Sequence, residues 1–134
     1  MLVTRETDYA LRALRAITDG KKKTLTQISK EEGIPKQFSY KILKKLEKGG
    51  YLRVFRGKAG GYIIADDFKD RNLYELIKVT ENEMEMSPCV VPGYRCEAHK
   101  NSDEPCGINL RLSSLQQMLD NELKAINLYD MLAK

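Results

Sequence analysis

The chain has 134 residues, 42% of them hydrophobic, and a formal net charge of +4 at pH 7. That length supports one domain, or one small domain plus an extension, around a modest core. No run approaches the roughly 18 apolar residues of a membrane span, and Met1 to Arg12 lack the apolar stretch of a secretory signal, so the cytoplasm is the expected compartment.

Thr4 to Asp19 reads as a first helix, with Tyr9, Ala10, Leu11, Ala13, Leu14 and Ile17 at helical spacing and Gly20 at its end. A short second helix follows over Thr24 to Glu32, with Thr26 as the expected cap. Gly33-Ile34-Pro35 is a tight turn. A third helix runs from Pro35 or Lys36 to Lys48, since proline in the first turn loses no hydrogen bond. Phe38, Ile42, Leu43 and Leu46 form its expected inward stripe, with Lys36, Gln37, Tyr40, Lys41, Lys44 and Lys48 opposite. Tyr51–Phe55 and Gly61–Ala65 then read as two strands joined by a basic, glycine-rich tip. Asn72 to Thr80 is a fourth helix. Residues 82–109 are polar and aperiodic. From Ile108 the helical signal returns, and Ile108, Leu112, Leu115, Leu119 and Ile126 form an apolar stripe, with Met118 and Leu123 alongside. This stripe can pack on its own domain or zip against a second copy.

Helix, turn, helix and hairpin is the order of a winged helix-turn-helix, whose second helix enters the major groove while the wing reaches phosphate or the minor groove. The expected fold is therefore mainly α with a small β-hairpin wing. Residues 1–66 form the DNA-binding domain, and residues 67–134 the cysteine loop and a long C-terminal dimerisation helix. The charge divides in the same way: residues 1–62 carry 15 Lys and Arg against 6 Asp and Glu, residues 63–134 carry 8 against 13. A basic half beside an acidic one suits a phosphate-binding head on a protein-facing body, although a solvated lysine face gives the same count. Gln37 can donate to and accept from adenine, and Tyr40 offers a hydroxyl and a flat face. Lys36, Lys41 and Lys44 supply phosphate contacts. Arg56 suits a narrow minor groove, with Lys58 at the wing tip beside it.

The segments Glu6-Thr7-Asp8-Tyr9-Ala10-Leu11-Arg12, Ile34-Pro35-Lys36-Gln37-Phe38, Leu46-Glu47-Lys48-Gly49-Gly50-Tyr51-Leu52 and, above all, Arg56-Gly57-Lys58-Ala59-Gly60-Gly61-Tyr62 resemble the Rrf2 family of bacterial regulators. The resemblance covers nearly the whole chain. It implies a homodimeric winged-helix transcription regulator, a repressor on a palindromic double-stranded operator, with an iron–sulfur cluster held by three cysteines.

All three cysteines, Cys89, Cys96 and Cys106, fall in one 18-residue window. In a reducing compartment such a cluster reads as metal-binding or reactive, and thiolates are the usual ligands of iron–sulfur clusters. The resemblance makes these three the cluster ligands, of a 2Fe–2S centre in preference to 4Fe–4S, although the gaps of six and nine residues are longer than the family's compact ones. For the fourth ligand it offers two residues. Asp8 matches an acidic ligand of the first helix in some relatives. His99, the sole histidine, lies three positions after Cys96, whereas other relatives carry a histidine three positions after the last cysteine, here Asn109.

Three other readings compete. A Cys3His zinc site is chemically feasible, though no Cys-x2-Cys knuckle is present. A thiol redox switch is another, with Arg95 beside Cys96 to lower its pKa. A protein-interaction adaptor would use the basic face without DNA. An enzyme is the least supported class: no phosphate loop, no nucleophile elbow and one histidine give little catalytic machinery.

Overall fold

The computed structural model describes residues 3–133; Met1, Leu2 and Lys134 lie outside the described residues. Six α-helices and one hairpin follow in the order α1 (Arg5–Ile17), α2 (Leu25–Glu32), α3 (Lys36–Lys48), β1 (Leu52–Phe55), β2 (Gly61–Ile64), α4 (Leu73–Thr80), α5 (Gly107–Ala125) and α6 (Leu128–Leu132). The first helix buries Tyr9, Ala10, Ala13, Leu14 and Ile17, the spacing the sequence predicts. Thr24, not the expected Thr26, caps α2. Its side chain accepts from the Gln27 N–H while the Gln27 side chain accepts from the Thr24 N–H, a reciprocal capping box.

Helix α3 begins directly after Pro35 and buries Ser39, Ile42, Leu43 and Leu46. Phe38 was expected in that stripe and is instead 40% exposed at its edge, with its ring 5.7 Å from that of Tyr9. Ser39 takes the inward place because it is small and its hydroxyl is satisfied by the Pro35 carbonyl at 3.3 Å. β1 and β2 pair antiparallel with Leu52 opposite Ile64 and Phe55 opposite Gly61. The segment before α2 adds a bridge to the outer edge of this hairpin, Lys23 and Tyr62 exchanging backbone hydrogen bonds of 3.1 and 2.8 Å.

One contiguous core joins α1, α2, α3 and β1 to Phe68, Leu73, Leu76 and Ile77. Its last members, Leu128 and Leu132, come from α6, a helix the sequence pattern does not predict. The chain leaves α5 at Ala125, so Ile126 lies outside the helix, and Asn127 caps α6 by accepting from the Asp130 N–H. Paired bonds, Leu73 N–H to the Ile126 carbonyl and Leu128 N–H to the Arg71 carbonyl, carry this return across the start of α4. The chain therefore goes out along α5 and comes back to the head.

Candidate nucleic-acid interface and cysteine loop

Every side chain predicted to meet DNA is exposed: Lys36, Gln37, Tyr40, Lys41 and Lys44 on α3, Arg56 and Lys58 in the wing. On the outer surface of α3, Gln37, Lys41, Lys44 and Lys48 occupy the centre, opposite the buried Ser39–Leu46 stripe. Tyr40 lies on the flank facing the wing and is 59% exposed, with Lys44 Nζ 5.9 Å from its ring. Tyr62 of β2 sits between the two parts. Burial raises its phenol pKa, nearby Glu47 and Tyr40 raise it further, and Arg56 opposes them. Helix α3 and the wing thus stand side by side, α3 packing on β1.

The wing is built by two glycines in different ways. A Cβ on Gly60 would collide with the Phe55 carbonyl and come within 2.8 Å of the Gly57 carbonyl, so close approach rather than positive φ requires glycine there. Gly61 has φ +155°, and a Cβ would lie 2.9 Å from the Lys23 carbonyl that bridges to β2. Phe55, Arg53 and Lys22, which the sequence pattern does not single out, gather beside this surface. Phe55 is an exposed ring at the wing base, with the cations of Lys22 and Arg53 5.7 and 5.9 Å from its centre.

The opposite flank of α3 meets the first turn of α1. Glu6 pairs with Lys41 at 2.8 Å and with Lys45 at 2.6 Å. Hydrogen bonds from Lys41 and then Lys45 hold the Glu6 carboxyl below the usual carboxylate range. Behind this turn, one oxygen of Glu81 accepts from the Thr4 N–H at 2.8 Å and from the Thr4 and Thr7 hydroxyls at 2.6 Å each. Burial pushes the Glu81 carboxyl up, but the Thr4 and Thr7 hydrogen bonds outweigh it and leave the carboxyl lowered.

Glu81 is followed directly by the cysteine-bearing segment. Gln116 of α5 fixes the start of that segment by donating to the Met84 carbonyl and accepting from the Met86 N–H. Beyond it, Cys89, Cys96, Cys106 and His99 line one cavity of about 480 Å³, together with Tyr94, Arg95 and Asn109. All three thiols are free and half-buried. Cys89 shares a contact of 3.3 Å with the Ser87 hydroxyl, and its carbonyl accepts from Asn109 at 2.6 Å. His99 Nε2 contacts the Glu104 carbonyl. Asp8 does not line this cavity; it pairs with Arg12 of its own helix at 3.2 Å. Among the described residues no three Cys, His, Asp or Glu side chains stand close enough together to hold a metal ion. The donor set suits a thiophilic centre, but the loop has to draw in to close around one.

Helix α5 starts at this loop and buries none of its residues fully. One face carries Leu112, Gln116, Leu119, Asp120 and Leu123, all half-buried. The adjoining flank is open: Ile108 is 70% exposed, Met118 62% and Leu115 42%.

The sequence profile of the Rrf2 family, described as an iron-dependent transcriptional regulator, matches residues 3–134. The chain belongs to the Rrf2 family. Protein aau3 of Rhizobium meliloti is 30% identical over 114 residues, covering 84% of this chain and 72% of that protein. The transcriptional regulator NsrR of Bacillus subtilis is 32% identical over 92 residues, covering 66% of this chain and 63% of that protein, a little under two thirds. Two solved structures share the fold. CymR, the global cysteine regulator of Bacillus subtilis, superposes with a TM-score of 0.76 at 16% identity over 98% of this chain and 95% of its own. IscR of T. potens gives 0.74 at 19% over 98% and 85%. This Rrf2 chain is a transcriptional regulator, not an enzyme, and the winged-helix reading of its sequence is the fold it has. No helix among the described residues is long and apolar enough to cross a membrane.

Proposed function

We propose that this chain acts as a homodimeric repressor whose affinity for a palindromic operator is set by an iron–sulfur cluster, 2Fe–2S in first place, on Cys89, Cys96 and Cys106. The observation that carries this reading is the position of three free, half-buried thiols around one cavity at the head of α5, a helix with an open apolar flank. A second copy is the occupant that suits that flank. The chain's own C-terminal helix turns back to the head and leaves Ile108, Leu115 and Met118 uncovered. In a two-fold dimer the paired recognition helices would meet two half-sites at fixed spacing. A bound cluster would supply redox and ligand-exchange chemistry. The chain's part is to present the thiolates, to shield them with Tyr94 and Ile108, and to transmit a changed loop geometry into α5. His99 lines the same cavity, which favours it as fourth ligand within one protomer. Asp8 could serve only from outside that cavity.

On the DNA side, Gln37 and Tyr40 are assigned to base edges, Lys36, Lys41 and Lys44 to phosphate, and Arg56 and Lys58 to the groove beside the wing. Purification without oxygen should give a coloured protein with iron and acid-labile sulfide in equal amounts. Cys89→Ala, Cys96→Ala and Cys106→Ala should each bleach it and change operator affinity, and of His99→Ala and Asp8→Ala only the true ligand should shift the spectrum. Zinc without sulfide would replace this reading with a structural zinc site. A colourless, metal-free dimer that binds DNA normally would favour a thiol switch, with Arg95 beside Cys96 in the same cavity.

A further inference from the structure

Part of the cationic face of α3 is already occupied. Glu6 divides its two oxygens between Lys41 and Lys45. Its side chain is 24% exposed and that of Lys45 34%, so this pair is the sheltered half of the triad; Lys41, at 59%, is the half that solvent or a phosphate can reach. The turn that carries Glu6 is held from behind by Glu81 through Thr4 and Thr7. Glu6 cannot follow Lys41 outward without breaking those bonds or leaving Lys45.

We propose that Glu6 is an internal competitor of DNA phosphate: anchored by Lys45, it holds Lys41 back from the duplex and keeps the affinity of the recognition face below what its lysines could reach. This inference rests on the α3 reading given under Proposed function. A lysine ammonium shared with a fixed carboxylate neutralises less of a neighbouring phosphate and releases fewer counterions on binding. A regulator gains from that restraint, because non-specific binding is almost wholly electrostatic and competes with the operator throughout a genome.

The test is anisotropy titration of a fluorescein-labelled, mixed-sequence duplex at several salt concentrations. Glu6→Gln should tighten binding about three- to tenfold and steepen the salt dependence by about one phosphate equivalent. The substitution also removes a tie between α1 and α3, but partial unfolding can only lower affinity, so a gain cannot come from it. Unchanged or weaker binding overturns the proposal. In a Lys41→Ala background the Glu6→Gln gain should vanish; a gain that survives there means that Glu6 repels phosphate directly or restrains Lys45 and not Lys41, and either overturns it. Lys44→Ala separates the two levels, because no contact joins Lys44 to Glu6. It should weaken binding whatever Glu6 does, and if it binds as wild type, α3 is not the DNA face and the inference falls with that reading.

Discussion

Helices α1 and α5 are both long and amphipathic, yet they use their apolar residues in opposite ways. Leu14 and Ile17 of α1 are fully buried within one chain, while α5 buries nothing completely and leaves Ile108, Leu115 and Met118 in the open. The apolar side is much better defined in α1, but periodicity states only that a helix has such a side and not what covers it. Surroundings decide. Around α1 stand α2, α3, α4, β2 and α6, whereas α5 has α4 and the cysteine segment on one side only.

Substitution at matched leucines is the sharpest way to test that contrast. Leu14→Ala should destabilise the chain by about 2–5 kcal/mol, the range for a buried leucine whose cavity cannot collapse. That loss should be independent of protein concentration in urea melts. Leu115→Asp should instead leave a folded chain and abolish the proposed dimer, because an unpaired carboxylate in an apolar interface costs several kcal/mol. Sedimentation of Leu115→Asp as a dimer would show that the open flank of α5 has another role.

A smaller effect is expected in the wing, which belongs to the proposed DNA surface and not to the core. Gly61→Ala puts a Cβ against the Lys23 carbonyl at a φ that other residues avoid. The expected cost is about 1–3 kcal/mol of local strain, with Leu14 and its neighbours unaffected. Amide exchange should quicken at Lys23 and Tyr62, the two residues of the bridge, and duplex affinity should fall. If Gly61→Ala binds and exchanges like the parent chain, the bridge does not position the wing.

The head was legible because its signals are local. Pro35, the Ile42–Leu43–Leu46 spacing and the glycine-rich turn after Arg56 each specify backbone within a few residues. Failures occurred where a distant contact decides. Phe38 gives up the inward place to Ser39 because Tyr9 of α1 takes the ring at the edge. Helix α6 was missed although Asn127 and the Leu128–Leu132 spacing carry a cap and an apolar face, since five residues are too short to stand out without the core that receives them. The cysteine window was visible as composition. The shared cavity, and the entry of His99 but not Asp8 into it, depends on loop geometry that no period encodes.

The smallest predicted effect concerns the seam between the two regions, where Glu81 ends α4 and begins the path to the cysteines. Its carboxyl is lowered in the folded chain by hydrogen bonds from Thr4 and Thr7, against the upward push of burial. A depressed carboxyl binds fewer protons when folded than when unfolded. Its contribution is therefore complete above the ordinary carboxylate range and is lost as pH falls through that range and the folded value. Glu6 titrates in the same sense, its carboxyl lowered by Lys41 and Lys45. Glu81→Gln keeps an acceptor for the Thr4 N–H but removes the charge, so about 1 kcal/mol should be lost at neutral pH, the difference between a charge-assisted and a neutral hydrogen bond. In urea melts from pH 7 downward, the gap between variant and parent should narrow as the parent's Glu81 protonates, while the Glu6 contribution falls in both. A gap that stays constant to low pH would mean that shape and not charge joins the head to the cysteine segment at this seam.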